Sequence, residues 1–150
     1  MQSLVLFNQK LKTQSDTDLN DSDKTFTVPT GKRWIINTIW VELTTTATVG
    51  NRQVVVQAQS SGGDVLVHQR AGALQAASLV RHYLFATGVP DATSFRSDES
   101  AASATMLTTP LPAPMEMDAG EVLRVLDYSA TAAAADDMVV HLRYYEQQDI

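Results

Sequence analysis

Apolar and polar positions alternate with a period of two along much of this chain, the mark of strands with one buried face. The cleanest case is MVVHLRYY (138–145), which sets Met138, Val140, Leu142 and Tyr144 against His141 and Arg143. RQVVVQAQ (52–59) puts Val54, Val56 and Ala58 on one side and Gln53, Gln57 and Gln59 on the other. SSGG (60–63) reads as a Gly-containing hairpin turn, after which DVLVHQR (64–70) returns antiparallel. TFTV (25–28) runs into Pro29 and Gly31, a turn signature, and EVLRVLDY (121–128) follows an Ala-Gly turn at 119–120. A short apolar segment, SLVLF (3–7), opens the chain.

RWIINTIWVELT (33–44) breaks the alternation. Its even positions include Trp34, Ile36 and Trp40, and its odd positions include Ile35, Ile39, Val41 and Leu43, so both faces of one regular strand are mostly apolar. A strand with one wet face alternates instead. The pattern therefore predicts a cover for the second face: another layer of the chain, the segment SLVLF folded back, or a neighbouring subunit. In the same register Trp34 and Trp40 share a face, about 20 Å apart. That spacing fits a sandwich core, or an aromatic platform for sugar.

Other segments carry mixed signals. GALQAASLVRHYLFA (72–86) has Ala76, Leu79, Val80, Tyr83 and Leu84 at helical spacing, but the strands around it favour a strand over 78–86. ATAAAADD (130–137) is too short for a stable helix and reads as a loop or a single turn. VPDATSFRSDESAASA (89–104) reads as a long polar loop, and TPLPAPMEM (109–117), with three prolines, as an extended crossing. The sum is an all-β chain of about eight strands in a single domain, most economically an antiparallel β-sandwich of jelly-roll type. At 150 residues such a domain buries about 70% of its unfolded surface, enough for a core without staples. Residues 1–24 read as an N-terminal arm or first strand with an acidic tether, and 25–150 as the jelly-roll domain.

Composition narrows the chemistry. The chain has no cysteine, which removes disulfides and thiol metal sites. A net charge of −6 with scattered basic residues argues against a nucleic-acid partner. No apolar run approaches the ~18 residues of a membrane span, and MQSLVLFNQKLKTQ lacks the basic start and long apolar core of a signal peptide. DTDLND (16–21) begins like a calcium loop with Asp16, Asp18 and Asn20, but Asp21 stands where the turn glycine belongs and Thr27 where the bidentate Glu belongs. A solvated acidic loop is the simpler reading. His68, His82 and His141 fall at no metal-binding spacing. Asp98-Glu99 and Asp136-Asp137 are adjacent on extended chain, where neighbours point apart, and no nucleophile elbow, P-loop or dinucleotide fingerprint is present. The expectation is a protein that is not an enzyme, with no catalytic residues, no cofactor and no metal.

Several stretches then resemble small virion proteins of tailed bacteriophages: VPTGKRW (28–34), VELTTTATVGNRQ (41–53), TPLPAP (109–114), AGEVLRVLD (119–127) and AADDM (134–138). The resemblance covers roughly residues 25 to 145 and lies in turns and strand ends. It implies a jelly-roll capsid decoration or cement protein, with itself and the major capsid protein as partners. Its place would be the virion, assembled in the host cytoplasm. The alternative it leaves open is a receptor- or carbohydrate-binding module of a neck or tail fibre. The expected interface residues are Leu4, Val5, Leu6 and Phe7 in the arm, with Ile35, Ile39, Val41 and Leu43 on the doubly apolar strand. A homo-oligomer is the default for such a chain.

Overall fold

The computed structural model describes residues 9–97, 105–129 and 135–148. Eleven strands and no helix occur among them: β1 (Lys10–Asp16), β2 (Lys24–Thr27), β3 (Lys32–Thr44), β4 (Arg52–Gln59), β5 (Val65–Arg70), β6 (Val80–Ala86), β7 (Arg96–Ser97), β8 (Thr105–Pro110), β9 (Glu116–Met117), β10 (Val122–Ser129) and β11 (Asp137–Gln148). They form a seven-stranded sheet in the order β1-β11-β3-β6-β8-β7, with β9 added against β3, and a four-stranded sheet in the order β2-β10-β4-β5.

The order is that of a jelly roll. Strands β1–β11, β2–β10, β3–β6 and β4–β5 pair antiparallel in succession, as one long ribbon closed at its tip by the β4–β5 hairpin. Successive pairs of that ribbon alternate between the two sheets, so the ribbon wraps around a single core. Seven of these eight strands lie where the sequence predicts them; the eighth, β1, lies downstream of the segment SLVLF, which is outside the described residues. Three more, β7, β8 and β9, lie in the connection between β6 and β10. One pair departs from the antiparallel rule, because β8 runs parallel to β6.

Turn chemistry fixes the ends. Gly31 at φ 74° and Gly120 at φ 85° adopt the left-handed backbone that the Pro-Thr-Gly and Ala-Gly turns require. In the β4–β5 turn the Ser60 hydroxyl accepts from the amides of Gly62 and Asp64. The segment with helical spacing is a strand over Val80–Ala86, as its β surroundings dictate. Tyr83 and Phe85 point into the core, and a helix there would open the sheet.

Strand β3 carries a bulge that the alternation concealed. Thr38 pairs with Arg143 and Ile36 with Tyr144, so Asn37 has no partner across β11. One extra residue reverses the facing of everything after it. Trp34 and Ile36 point inward before the bulge, and Ile39, Val41 and Leu43 point inward after it, all essentially inaccessible to solvent. The strand is therefore not evenly apolar on two faces: one face, counted through the bulge, holds five of its seven large apolar side chains, and Ile35 and Trp40 lie outside. The second sheet covers it, through Phe26, Val54, Val56, Leu123 and Val125 of the same core. Trp34 and Trp40, expected on one face, lie on opposite faces.

The sandwich also begins earlier than residue 25. Strand β1 pairs with β11 over seven residues, from Lys10–Glu146 to Asp16–Val140, and forms an edge of the larger sheet. Its sequence, KLKTQSD, shows no apolar alternation because its side chains are nearly all exposed.

Candidate functional site

Two regions of the fold concentrate polar chemistry. The first is a buried network at one end of the sandwich. The Arg52 guanidinium donates from Nε to Asp136 Oδ2 (2.7 Å) and from one terminal nitrogen to Asp136 Oδ1 (3.1 Å). It also donates to the carbonyls of Thr48 (2.8 Å) and Gly50 (2.6 Å) and to the Thr46 hydroxyl (3.4 Å). All five of its N–H donors are used. Asp136 Oδ1 accepts in addition from the Thr46 amide (2.8 Å). Burial opposes ionisation of Asp136, but the hydrogen bonds from Arg52 and Thr46 outweigh it and hold the carboxyl below its ordinary value. Next to this pair Gln75 bridges backbone and core: it donates to the carbonyls of Leu43 and Leu79 and accepts from the Tyr83 hydroxyl. Burial raises the Tyr83 phenol. Asp127 lies in the same region. Burial, and then the Asp136 charge, push its carboxyl up to about 7, and its Oδ1 has no partner among the described residues.

The acidic loop is a structural site as well. The buried Lys24 ammonium donates to Asp16 Oδ1 (3.3 Å), the Asp18 carbonyl (2.8 Å) and Asn20 Oδ1 (3.0 Å). The residues that looked like the first three ligands of a calcium loop enclose a lysine side chain. An ammonium supplies the positive charge there, and no group of three or more His, Asp or Glu suited to a metal occurs among the described residues.

The second region is the outer face of the larger sheet, and it is the candidate for recognition. The bulge at Asn37 turns Trp40 outward, half-buried, between His141 of β11 and Leu84 of β6. Its ring stacks on His82 with centroids 5.4 Å apart and planes at 29°. His82 Nε2 lies 2.8 Å from Glu42 Oε2, and His141 Nδ1 lies 2.7 Å from the Ser15 hydroxyl. Two of the three histidines thus flank one indole. A flat apolar ring rimmed by hydroxyl, imidazole and carboxylate is chemistry suited to a polyol. It is poorly suited to nucleophilic catalysis. Ser15 is exposed on an edge strand, and among the described residues no acid orients the far nitrogen of His141. The third histidine, His68, belongs to the other sheet, where Gln57 and Arg70 contact its two ring nitrogens.

The interface residues expected from sequence separate into three groups. Leu4, Val5, Leu6 and Phe7 lie outside the described residues. Ile39, Val41 and Leu43 are fully buried in the protein's own core and present no surface to a neighbour. Ile35 alone is half-exposed, on the outer face near Tyr145, its partner on β11. Asp98-Glu99 also lies outside the described residues, while Asp136 is absorbed by Arg52. Trp40, His82 and His141 were not expected to meet. The signal for it was Asn37, the one polar residue among the odd positions from 35 to 43; shifting the phase there gathers Trp34, Ile36, Ile39, Val41 and Leu43 on one face.

No family model matches the chain, and no curated protein does. Among solved structures, one chain from "Structure of infectious bursal disease virus Gx strain" aligns with a TM-score of 0.34 and 8% sequence identity, over 91% of this chain and 31% of that one. The present chain thus spans less than a third of the viral chain it aligns with.

Proposed function

We propose that this chain is a structural protein of a virus particle, namely a decoration or cement protein that stabilises the shell of a tailed bacteriophage by protein–protein contacts. The observation that carries the reading is the Arg52–Asp136 pair. The resemblance to phage virion proteins rests on turn motifs, and two of them, Gly50-Asn51-Arg52 and Ala135-Asp136-Asp137, meet in this one buried ion pair. Sequence signals 84 residues apart thus specify one piece of jelly-roll architecture. Such a module works through its surfaces, without catalysis or cofactor, and its partners are itself and the major capsid protein rather than nucleic acid or membrane. It acts on the virion, after assembly in the host cytoplasm. Immunogold labelling of purified particles tests the reading: label distributed over the shell supports it, and particles that carry none of the protein overturn it.

A second reading is favoured by the outward Trp40. In it, the outer face of the larger sheet binds a host glycan, as a receptor-binding module of a neck or tail fibre would. Screening against a glycan array, with Trp40→Ala as control, separates the two. Sugar binding lost in that variant, together with label at the tail, supports the second reading over the first.

A further inference from the structure

We infer that two copies of this chain associate through strand β1, edge to edge, making one continuous sheet across a twofold axis. An unpaired edge is a row of backbone donors and acceptors open to another strand, and native folds shorten, bulge or charge their edges to prevent that. Four strands end the two sheet orders, β1 and β7, β2 and β5, and the two-residue β9, paired with β3 alone, also has an open side. Strand β7 has two residues and β2 has four. Strand β5 is bulged, because Ala58 pairs with Val67 and Gln59 with Val65, leaving Leu66 unpaired. Strand β1 differs from all of these. It runs for seven residues in unbroken register with β11, contains neither proline nor glycine, and no described residue pairs with its open side.

The lysines of β1 would ordinarily keep a second strand away. They do not oppose its own copy in one register. With Thr13 on the axis, antiparallel pairing sets Lys10 opposite Asp16 of the second copy, Leu11 opposite Ser15, and Lys12 opposite Gln14. No like charges meet, and an opposite pair closes each end. Lys10 is exposed, and Asp16, which gives Oδ1 to Lys24, keeps Oδ2 free of hydrogen bonds from described residues. Shifting the register so that Lys12 lies on the axis brings two ammonium groups together. Shifting it the other way, with Gln14 on the axis, keeps an opposite pair, Lys12 and Asp16, at each end but shortens the pairing to five residues and leaves Lys10 beyond it. The strand is thus charge-complementary to itself in its longest register, the property an isologous twofold interface needs.

The inference stands on the β1 edge and not on the virion reading, so a dimer of the purified protein survives even if particles prove unlabelled. Because the chain lacks cysteine, single cysteines report the register directly. Thr13→Cys places its two thiols in cross-strand contact, within disulfide reach. Leu11→Cys separates them by roughly 14 Å along the strands. Under mild oxidation the Thr13→Cys protein is expected to form a covalent dimer and Leu11→Cys to remain uncross-linked, while a mixture of Leu11→Cys and Ser15→Cys proteins cross-links heterologously. In sedimentation equilibrium Lys10→Glu, with an unchanged melting temperature, is expected to weaken the dimer about tenfold by setting two carboxylates against each other. A wild-type monomer at every concentration overturns the inference. So does equal cross-linking at positions 11 and 13, or an oligomer indifferent to Lys10→Glu.

Discussion

Trp34 and Trp40 lie on the same strand and face opposite sides of the sheet, because Asn37 is bulged between them. Trp34 is sealed in the core, its ring 4.2 Å from that of Tyr144 and its Nε1–H donating to Glu146 (3.1 Å). Trp40 stands outside with His82. One unpaired residue therefore decides which indole holds the fold together and which meets the surroundings.

Deleting Asn37 is the direct test of that role. With the extra residue gone, Ile36 and Thr38 become neighbours, the pairing with Tyr144 and Arg143 runs in unbroken register, and Ile39, Val41 and Leu43 keep facing the core. The deletion variant is expected to fold, at a cost of about 0.5–3 kcal/mol, and Asn37→Ala to cost under about 1 kcal/mol. Circular dichroism melts of the two variants check this. A deletion variant that fails to fold would contradict the assignment of Asn37 as the extra residue.

The same geometry makes a spectroscopic prediction. Trp40→Phe is expected to remove the component of tryptophan fluorescence that acrylamide quenches, leaving the blue-shifted, protected emission of Trp34. Quenching unchanged in Trp40→Phe would place both indoles in the core.

Removing one partner of Arg52–Asp136 strands a charge where neither side chain reaches solvent. Arg52→Met alone is expected to cost about 3–5 kcal/mol. Pairing it with Asp136→Leu is expected to recover a large part of that loss, because no buried charge then remains. Urea unfolding of the singles and the double forms the cycle. Arg52→Lys should fall near Arg52→Met, since an ammonium replaces three of the five donors poorly.

At the acidic loop, Lys24→Met is expected to cost about 1–3 kcal/mol by leaving Asp16 and Asn20 without their cation. Calcium should not shift the melting temperature of the wild type, since the ammonium occupies the place between the ligands. Differential scanning calorimetry with calcium and with chelator reads both. A calcium-dependent rise in the wild type would contradict the lysine-filled loop.

Asp127 predicts a pH dependence of unusual sign for a carboxylate. Burial lifts its folded-state pKa from 3.8 to about 7. Between those values the folded protein binds more protons than the unfolded chain, so stability from this group is complete below 3.8 and is lost as pH rises through about 7. Asp136 and Glu146 act oppositely. Their folded pKa values are lowered from 3.8 and 4.5, so their contributions are present above those values and fade in acid. Asp127→Asn should thus stabilise the protein at about pH 8 by roughly 1–2 kcal/mol and have little effect near pH 4. Urea midpoints across that range check it, and a variant less stable at about pH 8 would refute the assignment.

The local patterns determined a great deal. The alternation in β11 named its core residues correctly, because that strand has one buried face and side-chain direction on a strand follows from backbone geometry alone; in β4 it named Val54, Val56 and Ala58, while Val55 on the opposite face is buried as well. Gly31 and Gly120 announced their turns for the same local reason. Other features were settled only by residues distant in the chain. β1 is a strand because β11 lies beside it, and an exposed edge strand needs no apolar alternation. Asp136 is ionised inside the protein only because Arg52, from another strand, comes to meet it. The phase of β3 depends on its pairing with β11, since a bulge is a mismatch between two strands and neither strand carries it alone. That mismatch sent Ile39, Val41 and Leu43 into the core and brought Trp40, His82 and His141 together outside.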